Sequence, residues 1–213
     1  MTARLTLRLV LLAIVAFVVG LVVARGLFRP AAVPVPATEN ATIFVPPRAL
    51  PPLALVDADG KPLGPRFLEG HWTLVFFGFT HCPDVCPTTL TVLGQVHKLL
   101  GSMPAGRQPR VLLVTVDPER DTPQRLRDYV RFFDPAFTGA TGTPEAIRQA
   151  AAAFAVPYAK VPLPGGGYTM DHGAGVFTVG PAGQVVAYSS PPLSADVLAR
   201  DFRKTVQYVE DPQ

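Results

Sequence analysis

The only two cysteines of this 213-residue chain, Cys82 and Cys86, lie where an apolar run gives way to a helical pattern. That junction constrains the fold more than any other stretch. From His71 to Phe79 the chain is apolar without alternation, as expected of a central strand covered on both faces. Leu90, Leu93, Val96 and Leu100 then recur at three- and four-residue steps, which predicts a helix. Pro83 disfavours helix at Cys82, and Pro87 suits a first helical turn, so Cys82 falls in the approach and Cys86 at the helix start. Both sulfurs then meet the partial positive charge of a helix N-terminus, which favours the thiolate that attacks disulfides and binds metals. Two thiols placed this way support redox chemistry, soft-metal binding, or both.

The flanking pattern supplies the fold class. Leu53–Val56 enters a turn at Asp57-Ala58-Asp59-Gly60, and Val111–Val116 is a second fully buried strand ending at Asp117-Pro118. Asp121 or Thr122, followed by Pro123, opens a helix with Leu126, Tyr129, Val130 and Phe133 on its buried side. An extended piece at 137–140 leads to a helix from Thr143 to Phe154. Residues 156–161 and 168–172 flank a Pro/Gly loop at 162–167, and 175–179 with 185–188 form a hairpin before a last helix capped by Ser194. This order indicates an α/β domain with a mixed central sheet flanked by helices. A reactive thiol between the first long strand and a helix is the arrangement of thioredoxin-like folds.

Charge is sparse and unevenly placed. The first fifty residues hold five of the 19 basic residues and one of the 16 acidic ones, so the rest of the chain is close to neutral. Nothing in that balance recommends a nucleic-acid-binding surface. Leu9 to Ala24 is uncharged and almost wholly apolar, flanked by Arg4, Arg8 and Arg25. We expect a single transmembrane anchor over residues 1–28, in contact with the membrane through residues 5–28. The basic N-terminal flank points the following domain to the extracytoplasmic side, the periplasm or its equivalent. A cleaved signal peptide, cut near Ala24 or Ala37, is the competing reading. Either way the domain reaches an oxidising compartment. Residues 29–52 carry seven prolines and read as a semi-extended tether, with a tail packed on the domain as the competing reading around Ile43–Val45, so the folded domain is expected over 53–213.

Two thiolates make an incomplete metal site, and the four histidines are the candidates to complete it. His71 precedes the buried strand, and His97 falls on the solvent side of the helix. His81 neighbours Cys82 but should project differently. His172, in Tyr168-Thr169-Met170-Asp171-His172-Gly173, follows a glycine-rich loop and opens the hairpin expected beside the central strands. A half-buried histidine at a strand end, with no ligand role, fits the same pattern.

Phe77-Gly78-Phe79-Thr80-His81-Cys82-Pro83-Asp84-Val85-Cys86-Pro87 closely resembles the signature of the Sco/SenC copper proteins. The resemblance extends through Leu55-Val56-Asp57 with Gly60, through Val114 to Pro123, and to Asp171-His172, covering roughly residues 53–210. It implies a thioredoxin-like fold and copper, as Cu(I) and Cu(II), held by Cys82, Cys86 and His172. It also implies a role in assembling the dinuclear copper centre of cytochrome c oxidase, with the copper-bearing oxidase subunit as partner. A copper donor and a thiol reductant would be further partners. Two soft thiolates suit Cu(I), and an imidazole makes Cu(II) acceptable. Asp84 and Asp171 could orient the ligands from outside, and the Met170 thioether could assist Cu(I) or simply pack. One departure stands out: the family usually has serine after the histidine, and this chain has Gly173.

The residues leave three functions open. The chain could be a copper metallochaperone, or a thiol–disulfide reductase in which Cys82 and Cys86 are catalytic. The third, a thiol peroxidase, leaves the three-residue cysteine spacing and the Asp171-His172 pair without a purpose.

Overall fold

A computed structural model of the chain describes residues 2–27, 34–64 and 66–211. Two compact units result, one ending at Pro34 and the other running from Val35 to Pro212. The first is the helix α1, Thr2–Leu27, whose large apolar side chains between Leu9 and Val23 are exposed. A helix thus forms where the anchor was expected, yet among the described residues no helix is long and apolar enough to cross a membrane. Phe28, at the end of the expected anchor, and residues 29–33 of the expected tether lie outside the described residues, as do 212 and 213.

The second unit is built on a seven-stranded mixed sheet. Its strands are β1 (Ala41–Ala49), β2 (Val56–Asp57), β3 (Thr73–Gly78), β4 (Arg110–Thr115), β5 (Thr138–Thr141), β8 (Val176–Val179) and β9 (Gln184–Ser189), in the order β1-β9-β8-β3-β4-β5-β2. Strands β3, β4 and β5 are parallel. They are linked through α2 (Val85–Leu100) and α3 (Pro123–Phe133), as parallel neighbours must be linked by crossovers. Helix α4 (Pro144–Phe154) and the separate antiparallel pair β6 (Tyr158–Pro162) and β7 (Tyr168–His172) come before β8, and α5 (Ala195–Glu210) closes the domain.

All six residues of β3 are buried, as its unbroken apolar run requires. On one face Trp72, just before the strand, meets Phe202 of α5 edge-on at 5.7 Å between ring centroids. On the other, Phe77 meets Phe154 of α4 at 5.3 Å. Fully burying side chains of this kind contributes about 1.5–3 kcal/mol each, so β3 is the rigid centre of the domain. Proline-led helix starts behave as their sequence suggests: Thr122 accepts from the Arg125 amide and Thr143 from the Ala146 amide. Ser194 precedes α5, but its side chain makes no capping bond.

The tether boundary needs correction. Residues 41–49 form β1, the sheet's edge strand, paired antiparallel with β9 from Ala41 opposite Ser189 to Ala49 opposite Gln184. The register slips between Ile43 and Arg48, where Pro46 and Pro47 sit, so the prolines occupy a break on an outer edge where no donor is required. The strand's entry is clipped by Asp201 of α5, a fully buried carboxylate that accepts from the amides of Glu39, Asn40 and Ala41. The folded domain therefore begins well before residue 53.

Candidate metal centre

Helix α2 starts at Val85, which places Cys86 in its first turn and leaves Cys82 in the loop from β3. Cys86 is fully buried and Cys82 half-buried, and both are free thiols. Gly78 ends β3 under the Cys86 sulfur: a Cβ there would lie 2.9 Å from the Phe76 ring and 3.1 Å from Cys86 Sγ. Glycine lets the sulfur settle onto the strand end. The Cys86 amide donates to Cys82 Sγ at 3.4 Å, so the half-buried sulfur is already a hydrogen-bond acceptor at the helix N-terminus.

Topology brings the third residue in. Strand β8 runs antiparallel to β3 with Val176 opposite Phe76, so the start of β8 lies beside the end of β3. His172, four residues before Val176, is thereby delivered to the cysteines. Its Nε2 stands 3.4 Å from Cys86 Sγ across 86 residues of chain. The ring is packed edge-on to Phe76 and Phe79, with centroids 6.0 and 5.8 Å away. Its Nδ1 lies 3.0 Å from the Gly173 carbonyl, and donating that proton leaves the Nε2 lone pair facing the sulfur. A sulfur and a nitrogen sharing one ion at about 2.3 and 2.0 Å stand roughly 3.5–3.7 Å apart at tetrahedral to trigonal angles. The observed 3.4 Å is close to that spacing.

Burial sets the protonation of both groups. It pushes the Cys86 thiol well above the usual range, only partly opposed by a hydrogen bond from the Phe79 backbone, and the neighbouring Cys82 and Asp121 raise it further. The helix N-terminus was expected to favour a thiolate here; in the metal-free protein desolvation outweighs it. Burial likewise lowers His172 below the usual imidazole value, against the Gly173 hydrogen bond and the Asp171 charge, which both raise it. The site at rest is therefore a thiol beside a neutral imidazole, a donor set that gains charge only when a cation enters.

The remaining candidates divide plainly. His81 is exposed and its Nδ1 lies 3.3 Å from its neighbour Thr80 Oγ1. His71 lies against the Phe67 carbonyl, and His97 reaches Asp134 of the α3 C-terminus at 2.9 Å; neither approaches the thiols. Asp84 is exposed at the N-cap of α2 without a capping bond, and Asp171 is exposed on the face of β7 away from His172. Among the described residues neither carboxylate hydrogen-bonds a candidate ligand. Met170 is buried in the apolar core. Gly173 is not required by sterics, since a Cβ there would meet Pro157 and Val156 at an ordinary 3.6 Å.

A polar support beneath the cysteines was not anticipated from the sequence. Asp121, expected as a helix cap, is fully buried and accepts from the Thr80 amide, the Thr80 hydroxyl at 2.6 Å and the Thr115 hydroxyl at 2.6 Å. It ties the β3–α2 loop to the end of β4. The available signal was a pair of aspartates, Asp117 and Asp121, soon after a buried strand that carries a hydroxyl at Thr115.

A family model described as SCO1/SenC matches residues 46–207. A Stutzerimonas stutzeri protein whose name refers to copper binding is 37% identical over 166 residues, covering 76% of this chain and 80% of its own. A mitochondrial protein of Arabidopsis thaliana named as an SCO1 homolog is 34% identical over 73% of this chain but only 46% of its own. The chain thus spans about half the length of that relative. The crystal structure of Arabidopsis thaliana ScoI with copper bound is similar at a TM-score of 0.70 and 32% identity, covering 75% of this chain and 99% of that one.

Proposed function

Because the chain belongs to the SCO1/SenC family, we propose that it is a copper carrier that holds Cu(I) or Cu(II) through Cys82, Cys86 and His172. The observation that carries this reading is the approach of His172 Nε2 to Cys86 Sγ, with the other ring nitrogen already engaged by a carbonyl. Two thiolates and one imidazole are soft enough for Cu(I) and acceptable to Cu(II). The thiols release their protons as the ion enters, and half-buried Cys82 is the side on which a donor or recipient gains access. The recipient is the copper-bearing subunit of cytochrome c oxidase, whose dinuclear centre the protein helps to assemble. Residues 5–28 anchor it, and the domain acts on the extracytoplasmic side.

Anaerobic titration of the reduced full chain in detergent with Cu(I) and Cu(II) tests this. One copper per chain is expected, with a sulfur-to-Cu(II) absorption band that Cys82→Ser removes. Substoichiometric binding unaffected by that change would contradict the reading.

A second use of the same sulfurs rests on their unequal exposure. The Cys82 thiolate attacks one sulfur of a target disulfide, forming a mixed disulfide and releasing one target thiolate. Cys86, giving up its proton, then attacks the Cys82 sulfur and releases the second target thiol. The target gains two electrons, and this chain is left with a Cys82–Cys86 disulfide that an external thiol reductant must reopen. Copper-free protein mixed rapidly with an oxidised target peptide should reduce it; an unreacted peptide removes this role.

A further inference from the structure

The hairpin β6–β7 stands apart from the main sheet, so something other than strand pairing must hold His172 at the cysteines. Among the described residues, apart from the His172–Cys86 approach, every side-chain hydrogen bond joining this hairpin to the domain runs to one segment, Asp117–Arg120. Arg120 is central to it. Its Nε pairs with Asp117, and its Nη1 donates to the Tyr168 carbonyl at 2.9 Å. Its guanidinium carbon lies 3.8 Å from the centroid of the Tyr168 ring and 5.9 Å from that of Phe79. The Tyr168 hydroxyl donates to Asp117 Oδ1 at 2.9 Å. Lys160 of β6 lies 4.1 Å from the Tyr168 ring and pairs with Glu119 at 2.7 Å.

This cluster links both halves of the site. Asp117–Arg120 follows β4, the parallel neighbour of the strand that leads into the cysteines. Tyr168 and His172 are the first and last residues of β7, on one face by the two-residue period of a strand, about 13 Å apart at ~3.3 Å per residue. Phe79 lies between Arg120 and His172, with the Arg120 guanidinium over its ring and the His172 ring edge-on to it. Burial and the Asp117 hydrogen bond push the Tyr168 phenol up to about 12, so it remains a donor throughout the neutral range.

We propose that Arg120 and Tyr168 are positioning residues for His172: the guanidinium, fixed by Asp117, clamps the start of β7 so that the imidazole at its end is held against Cys86. The inference rests on the three-ligand copper site proposed above. It predicts that the clamp acts on copper only through His172. A flat, forked guanidinium stacked on a ring is not replaceable by an aliphatic chain, whereas phenylalanine keeps the face on which it stacks.

The test is a double-mutant comparison on the reduced full chain in detergent, with Cu(I) affinity read by competition against a chromophoric Cu(I) chelator and Cu(II) by its sulfur-to-metal absorption band. Arg120→Met and Tyr168→Leu are each expected to weaken Cu(I) binding by about 10–100-fold, the range for lost outer supports of a metal ligand. Both should move the Cu(II) band toward that of His172→Ala, and Tyr168→Phe should stay close to the parent. In the His172→Ala background Arg120→Met should cost nothing further. An equal loss in that background, or no loss in the parent, overturns the clamp. Should Arg120→Met fail to fold, Tyr168→Leu, which keeps the Asp117–Arg120 pair, carries the same comparison. His172→Ala binding copper like the parent would instead overturn the ligand assignment, and the clamp with it.

Discussion

Cys82 and Cys86 hang from the end of β3, a strand with every residue buried, whereas His172 ends a hairpin whose partner strand β6 is exposed along most of its length. The cysteine side is held by core packing, by Gly78 under the sulfur and by the buried Asp121 carboxylate. The histidine side is held by Met170 in the core, by the Phe76 and Phe79 rings and by a handful of polar and aromatic contacts to the Asp117–Arg120 segment. The contrast suits a carrier: one half of the site is fixed, and the other rests on contacts that a docking partner can exchange. Local stability differs between regions in this way when apolar burial does.

Several substitutions break or sharpen that contrast. The largest effect belongs to the ligands themselves. Cys86→Ser should lose stoichiometric copper, and His172→Ala should weaken it by orders of magnitude while leaving disulfide formation between Cys82 and Cys86 nearly intact; chelator competition and thiol titration read both. Next is Asp121→Ala, which strands three donors next to the cysteine loop. With about 1–3 kcal/mol for each buried group left unpaired, a loss of about 3 kcal/mol is expected in urea denaturation followed by Trp72 fluorescence. The matching change on the hairpin, Asp171→Ala, should stay within about 0.5 kcal/mol, as exposed substitutions do. Equal losses would erase the contrast.

A smaller, pH-dependent effect comes from the clip on β1. Burial raises the Asp201 carboxyl, but the amides of Glu39, Ala41 and Asn40 outweigh it and hold the group below its usual value. A carboxyl depressed in the folded state stabilises it above the unfolded value of about 3.9 and loses that contribution as pH falls through the folded value. Asp201→Asn should therefore be less stable than the parent at neutral pH, by about 1–3 kcal/mol, with the gap closing below about pH 4. A gap that persists unchanged into acid would contradict the clip. Smallest of all is Gly173→Ser: the new Cβ fits in ordinary contact with Pro157 and Val156, so thermal unfolding should move by less than about 0.5 kcal/mol.

The two halves also differed in how far the sequence disclosed them. The strand–Cys–helix junction was legible because its signals are local: an unbroken apolar run, a proline at a first helical turn, and apolar residues at helical spacing. The helices from Pro123 and Pro144 and the β8–β9 hairpin were readable for the same reason. His172 could be singled out but not placed by residue pattern alone, because its nearness to Cys86 depends on β8 pairing antiparallel to β3 over a long separation. Strand β1 was hidden by its prolines, which mark a tether in isolation and an edge strand once β9 is present. The support from Asp121 was opaque because a carboxylate two residues before Pro123 reads as a helix cap until its burial is known.

The central claim is that His172 joins the cysteine pair around one copper ion. X-ray absorption at the copper edge of the reduced, singly loaded chain tests it directly. The account predicts two sulfur scatterers and one imidazole nitrogen, with the imidazole signal lost in His172→Ala and the sulfurs retained. An all-sulfur environment in the parent, or an imidazole signal that survives His172→Ala, would contradict it.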